Sequence, residues 1–319
     1  RGQSGACSHP QYDKNPGLPA HKRGRRFPSP PCSCPLETAG GQLIETDVIE
    51  AVLTAGIEGG GEFAEIFVED RRSTSALLDD GRVEELASGR DRGAGIRVVA
   101  GDTTGFAHTA DLSERSLVEA ARTAAAAARS VRAGGGIVDL GRVDAENPST
   151  VEVYPEDVDK EVKVDLLRRA ESAARSEGSE ITQVSARYAD SRRRIQVANS
   201  DGVLADDDQV RTMFSVSTVA TGDTGMQTGR ESTGHTIGFE LFDSHDVSDL
   251  ARSAAKRALT KLAARPAPSG EMTVVIGPGG GGVMFHEACG HGLEADLVAK
   301  GASVSVSYTH LRAHETYEG

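Results

Sequence analysis

Apolar and polar positions change period several times along the chain, and the changes mark its elements. Asp47, with Glu50 three positions on, opens an amphipathic helix over Val48 to Ile57. Phe63-Ala64-Glu65-Ile66-Phe67-Val68 then alternates with the period of two that a half-buried strand requires. Thr74 to Leu78 and Val83 to Ala87 flank Asp80-Gly81, a strong hairpin signal. Gly95 to Ala100 and Thr103 to Ala107 flank Gly101-Asp102 and predict a second hairpin. Asp111, with Glu114 three on, opens an alanine-rich helix to about Val131, stopped by Gly134-Gly135-Gly136.

The same order returns further on. A helix follows Pro155, from Glu156 to Arg175. Strands are predicted at Ile181 to Ala189, Arg194 to Ala198, Val210 to Thr221 and Thr236 to Phe242. Arg192-Arg193-Arg194 falls at a predicted hairpin turn, as a solvated basic tip. Asp246 to Arg265 is helical again, ended by Pro266 and Pro268. Helices bracketing hairpins predict an α+β fold, helices on antiparallel hairpin sheets, rather than a parallel doubly wound sheet. The repeated order predicts two similar layers, 42–147 and 148–268, within one region from 42 to 268, although no residue-level repeat is visible.

A different unit begins at 269. Met272 to Ile276 reads as a buried strand, Gly277 to Gly282 as a glycine loop, and the rest to Lys300 as a helix carrying His286-Glu287-Ala288-Cys289-Gly290-His291. This is the densest cluster of reactive groups in the sequence. Neutral imidazole is the commonest protein ligand for zinc, and a carboxylate beside a bound metal serves as a base. Histidines five apart sit roughly 140° apart around a regular helix, against about 40° for the four-residue HExxH spacing. They reach one ion only if the helix departs from α geometry between them, by a π-type turn or by unwinding. Gly290 and Gly292 are the residues that tolerate such a departure. On spacing alone, a metal pair and two unrelated histidines on a polar helix start both remain open.

Composition narrows the function classes. The 319 residues carry a net charge of −13 and a pI near 5.2, which argues against binding a nucleic-acid backbone. No run approaches the length of a membrane span, and no secretory signal is visible. Residues 1–41 hold seven of the 12 prolines and three of the four cysteines, Cys7, Cys32 and Cys34. They show no periodicity, which predicts disorder or a non-native leader. Cys7 and His9 with Cys32 and Cys34 fit no common zinc spacing, and the cysteines form no disulfide framework. Cys289 reads as a small side chain packed under the helix. His310, His314 and Glu315 imitate a zinc helix, but 307–319 reads as a non-native tail without function.

GPGGGGVMFHEACGHGLEAD, with its preceding strand, resembles the HExxxH signature of the TldD/PmbA family, in its TldD-type, metal-bearing form. NSDGVLADDDQVRTMFSVSTVA, Asn199 to Ala220, resembles the family's N-terminal region, and the likeness covers residues 43 to 306. The resemblance implies a cytoplasmic metallopeptidase with zinc as cofactor. It makes His286 and His291 metal ligands and Glu287 the catalytic base. It implies unfolded or short extended peptide as substrate and a homologous, motif-lacking partner subunit, or a homodimer. It places 269–306 at the start of a β-rich C-terminal metallopeptidase domain. The third protein ligand of the family is a cysteine further into that domain, so the chain reads as truncated at its C-terminus.

Two other readings compete. Gly277-x-Gly279-x-x-Gly282 after a strand matches a dinucleotide fingerprint literally, but the acidic residue expected at the end of a second strand is not there. A catalytically inactive fragment, or an interaction subunit of a peptidase assembly, is the other. His108 and His235 read as ordinary polar positions, and His245 as a helix-capping one.

Overall fold

A computed structural model describes residues 42–128, 138–143 and 150–303. The polyglycine stop at 134–136, the cysteines of 1–41 and the histidines of 307–319 lie outside the described residues. The chain forms two compact units, Arg1–Ala264 and Arg265–Gly319.

The first unit is built on one sheet. Its strands are β1 (Phe63–Asp79), β2 (Arg82–Ala100), β3 (Thr103–Thr109), β4 (Gly141–Val143), β5 (Ile181–Asn199), β6 (Val203–Gly222) and β7 (Gly225–His235). Spatial order runs β3-β2-β1-β5-β6. The start of β6 then pairs in parallel with β4, and Thr212 to Gly222 of β6 pair antiparallel with β7. Every pairing except β4–β6 is antiparallel. With the helices, this is an α+β fold. Asp80 and Gly81 both have positive φ, 47° and 85°, as the tight β1–β2 hairpin demands.

The buried residues of β1 are Ala64, Ile66, Val68, Asp70, Ala76 and Leu78, all even-numbered and so all on one face. Two helix pairs cover that face at opposite ends. Near one end, α1 (Thr46–Glu58) and α2 (Glu114–Ala128) pack Ile49, Leu53, Leu117 and Ala121 on Ile66, Ile96 and Val98. Near the other, α3 (Lys160–Arg175) and α5 (Val247–Leu262) pack Leu167, Ala170, Ala251 and Ala255 on Val184, Tyr188, Phe214 and Val216. The repeat predicted from element order is thus two helix–strand sets lying side by side in a single sheet.

Matching glycines mark the two halves. A Cβ on Gly105 of β3 would stand 1.9 Å from the carbonyl oxygen of Ala124 and 2.7 Å from the amide nitrogen of Ala128. A Cβ on Gly229 of β7 would stand 1.9 Å from the Ala254 oxygen and 2.8 Å from the Ala258 nitrogen. In each half a strand and an alanine-rich helix approach so closely that only glycine fits between them.

Between the two cores the covered face is polar. Asp70 accepts from Arg90 Nε at 2.8 Å. Arg192 is paired with Asp208 (2.6 Å) and Glu156 (2.9 Å) and lies over the Tyr154 ring, 4.1 Å from its centroid. Lys163 is almost fully buried, its Nζ 2.8 Å from Asp190 Oδ2, and the Tyr188 hydroxyl donates to the same oxygen at 2.7 Å. Burial and the neighbouring Asp190 charge hold the Tyr188 phenol protonated well beyond its ordinary range.

This polar belt corrects the expected elements. Arg192-Arg193-Arg194 is no turn: it lies mid-strand in β5, where Arg192, Arg193 and Arg194 face Val210, Gln209 and Asp208 on β6. Likewise, the separate strands expected at Phe63 to Val68 and Thr74 to Leu78 are one strand, crossing the belt without an apolar run. Thr236 to Phe242 is not a strand. Phe239 and Phe242 fold back on Tyr188, with ring centroids 6.2 and 6.0 Å away, and Leu241–Ser244 forms a short helix, α4. Asp246, not His245, caps α5, accepting from the Ser248 amide at 2.8 Å. The helix ends at Leu262, before either proline.

Candidate metal centre

The second unit carries the reactive cluster. Met272 to Ile276 is not a strand here: it lies in no ladder among the described residues, and Val275 is 93% exposed. None of its described residues, 265–303, is buried. Gly279, with φ +84°, precedes helix α6 (Gly280–Phe285).

At His286 the backbone leaves α geometry. His286–Gly290 forms a π turn, closed by the His291 amide donating to the His286 carbonyl. Five residues thus span the turn that four span in an α-helix, and positions 286 and 291 come onto the same side. The imidazole centroids are 4.5 Å apart, at 68° to each other. Ligand atoms of His286, Glu287 and His291 all lie within 4.8 Å of one another, the one such group of three among the described residues. His291 Nε2 stands 3.6 Å from Glu287 Oε2.

The next three residues, His291–Leu293, form a 3₁₀ turn, followed by helix α7 (Ala295–Ala299). Residues i and i+3 eclipse in such a turn. It brings Glu294 Oε1 to 2.5 Å from His291 Nδ1. Two consecutive non-α turns therefore gather the cluster, the π turn joining the histidines and the 3₁₀ turn joining His291 to Glu294.

Gly290 acts differently from what its residue type suggests. Its backbone is ordinary right-handed helix, φ −61° and ψ −52°. What it supplies is room, because a Cβ there would come 3.3 Å from His286 Nδ1. Cys289 is exposed and lies outside the cluster, not packed under the helix, because the described part of this unit has no core to receive it. His108 is stacked on Phe106, and the rings of His235 and His245 pair with each other, centroids 5.1 Å apart, all within the first unit. The dinucleotide reading finds no support: the strand is missing, and the helix after the glycines runs six residues before the π turn.

The donor set fits zinc in kind. Imidazole nitrogens are its common protein donors, and those of His286 and His291 lie within 4.8 Å of each other. In number it falls short, because two imidazoles do not make the three or four protein ligands of a stable site.

Comparison with known proteins gives consistent matches. Residues 64–128 match the family model for the PmbA/TldA metallopeptidase domain 1, and residues 153–262 that for the PmbA/TldA metallopeptidase central domain. A metalloprotease of Methanothermobacter thermautotrophicus is 35% identical over 266 residues, covering 82% of this chain and 56% of that protein. A metalloprotease TldD homolog of Haemophilus influenzae is 31% identical, covering 76% and 52%. The chain thus spans about half the length of these relatives. Among solved structures, a putative modulator of a DNA gyrase from Thermotoga maritima superposes with a TM-score of 0.58 at 16% identity, covering 70% of this chain and 50% of that one. TldE from Thermococcus kodakarensis superposes with a TM-score of 0.54 at 16% identity, covering 66% and 47%. These two show a common fold, and the sequence relatives show descent: the chain belongs to the PmbA/TldD family of metallopeptidases.

Proposed function

We propose that this chain is part of a zinc-dependent peptidase that hydrolyses unfolded or short extended peptides, with His286 and His291 as zinc ligands and Glu287 as the general base. The observation that carries this reading is the π turn. It turns an unfavourable five-residue spacing into a convergent pair of imidazoles with a carboxylate alongside. A third ligand, a cysteine in the family resemblance, comes from outside the described residues. The reading also includes a cytoplasmic setting and a homologous, motif-lacking partner or a homodimer.

Zinc bound there would supply Lewis-acid polarisation of the scissile carbonyl and of the attacking water. Glu287 takes the proton of that water on Oε2, the oxygen facing His291, and delivers it to the leaving amine. His291 and His286 hold position without exchanging protons. Exposed backbone around the glycine loop offers hydrogen-bonding groups to an extended chain.

Glu287→Gln tests the division of roles. In the full-length protein it is expected to abolish cleavage of an unstructured peptide while zinc content stays nearly unchanged. His286→Ala is expected to remove both. Retained cleavage in Glu287→Gln would reject the mechanism, and loss of zinc in that variant would make Glu287 a ligand.

A further inference from the structure

We propose that Glu294 is a positioning residue for His291: it holds the ring by Nδ1, aims Nε2 at the metal position, and is not itself a ligand. This rests on the reading of His286 and His291 as zinc ligands. Glu294 Oε1 lies 2.5 Å from His291 Nδ1. An ionised carboxylate only accepts hydrogen bonds, so Nδ1 carries the proton. A neutral ring protonated at Nδ1 has its lone pair on Nε2. That is the nitrogen beside Glu287, at 3.6 Å. Glu294 is not among the three residues whose ligand atoms converge. Its place is set by the chain: the 3₁₀ turn from His291 carries it beneath the imidazole, and it then starts α7 in an extended conformation, φ −61° and ψ 129°. The Ser303 hydroxyl donates to the Gly292 carbonyl and ties the same turn from outside. Ligating histidines commonly give their second N–H to a carboxylate, and losing that partner typically weakens metal binding 10–100-fold.

The test uses the full 319-residue chain with two readouts. In the metal-free protein, nitrogen-15 NMR of the imidazoles reports the tautomer. His291 is expected as the Nδ1–H form in the parent and as a mixture in Glu294→Ala. Zinc affinity, from competition with a chromophoric chelator, is expected to fall about 10–100-fold in Glu294→Ala. It should return most of the way in Glu294→Gln, whose amide oxygen still accepts from Nδ1–H. An unchanged tautomer in Glu294→Ala overturns the proposal. So does a Glu294→Gln variant as weak as Glu294→Ala, which would make the carboxylate a ligand. Where the parent chain, with two imidazoles alone, binds zinc too weakly to compete with the chelator, the tautomer decides: a His291 ring in the parent that is not predominantly Nδ1–H overturns the proposal.

Discussion

Lys163→Met replaces the buried ammonium of α3 with an apolar chain of similar length. Lys163 and Asp190 are 2% and 6% exposed, and the pair is 2.8 Å apart. The substitution leaves little cavity, so the cost falls on Asp190, whose carboxylate stays buried with its charge uncompensated. Breaking a buried pair from one side costs about 3–5 kcal/mol. The Tyr188 hydroxyl, 2.7 Å from the same oxygen, still donates, which places the expected loss near the lower end, about 3 kcal/mol. In urea unfolding followed by circular dichroism, that is a midpoint shift of roughly 1–3 M. Replacing the whole network, Lys163→Met with Asp190→Leu and Tyr188→Phe, removes charge and orphaned donor together. Its stability is expected within about 1 kcal/mol of the parent. A loss below about 1 kcal/mol for Lys163→Met alone would mean that water reaches Asp190, and the reasoning would fail.

Gly105→Ala and Gly229→Ala should each destabilise by about 1–3 kcal/mol or more, since the clash in both is with helix backbone that cannot rotate away. Gly89→Ala, whose Cβ would meet nothing nearer than the Ser73 hydroxyl at 3.6 Å, should stay within about 0.5 kcal/mol, all three variants being compared with the parent by the same urea unfolding. The Arg90 guanidinium hydrogen-bonded to Asp70 holds that carboxyl below its ordinary range, against the opposing effect of burial. The folded pKa is depressed, so its stabilisation is complete above about pH 4 and is lost as pH falls through the folded value. The stability gap between the parent and Asp70→Asn should therefore be flat near neutrality and narrow in acid, and a gap independent of pH would refute the assignment.

Turns and amphipathic helices were legible because local chemistry decides them. Asp80-Gly81 and Gly101-Asp102 form the β1–β2 and β2–β3 turns, and Val48 to Ile57 lies inside α1. The errors have one cause in the sheet. Periodicity reports burial in a core, and strands crossing two cores pass through a polar gap between them. There Glu69 to Ser73 and Ser191 to Arg194 lose their alternation, although hydrogen bonding across the ladder is unbroken. β4 gave no signal because three exposed residues carry no pattern. At the reactive cluster, the need for a non-α turn followed from the angle between His286 and His291. The 3₁₀ turn that follows, and with it the Glu294 contact, depends on backbone geometry beyond His291 that residue types do not encode.

Strands shared between two cores also constrain how the molecule can be assembled. Ala64 and Ser200, joined by a hydrogen bond at the β1–β5 seam, are 136 residues apart in sequence. During synthesis β1 and β2 emerge long before β5. The outer edge of β1 is then an unpaired row of amides and carbonyls, and Ala76 and Leu78 lie bare until α3 and β5 arrive. Long-range pairing of this kind is slow, and an open edge invites another chain. A cut between α2 and α3 would therefore not release two independent domains. Each piece would carry one naked central strand, and each would be expected to associate with itself or to recombine with the other.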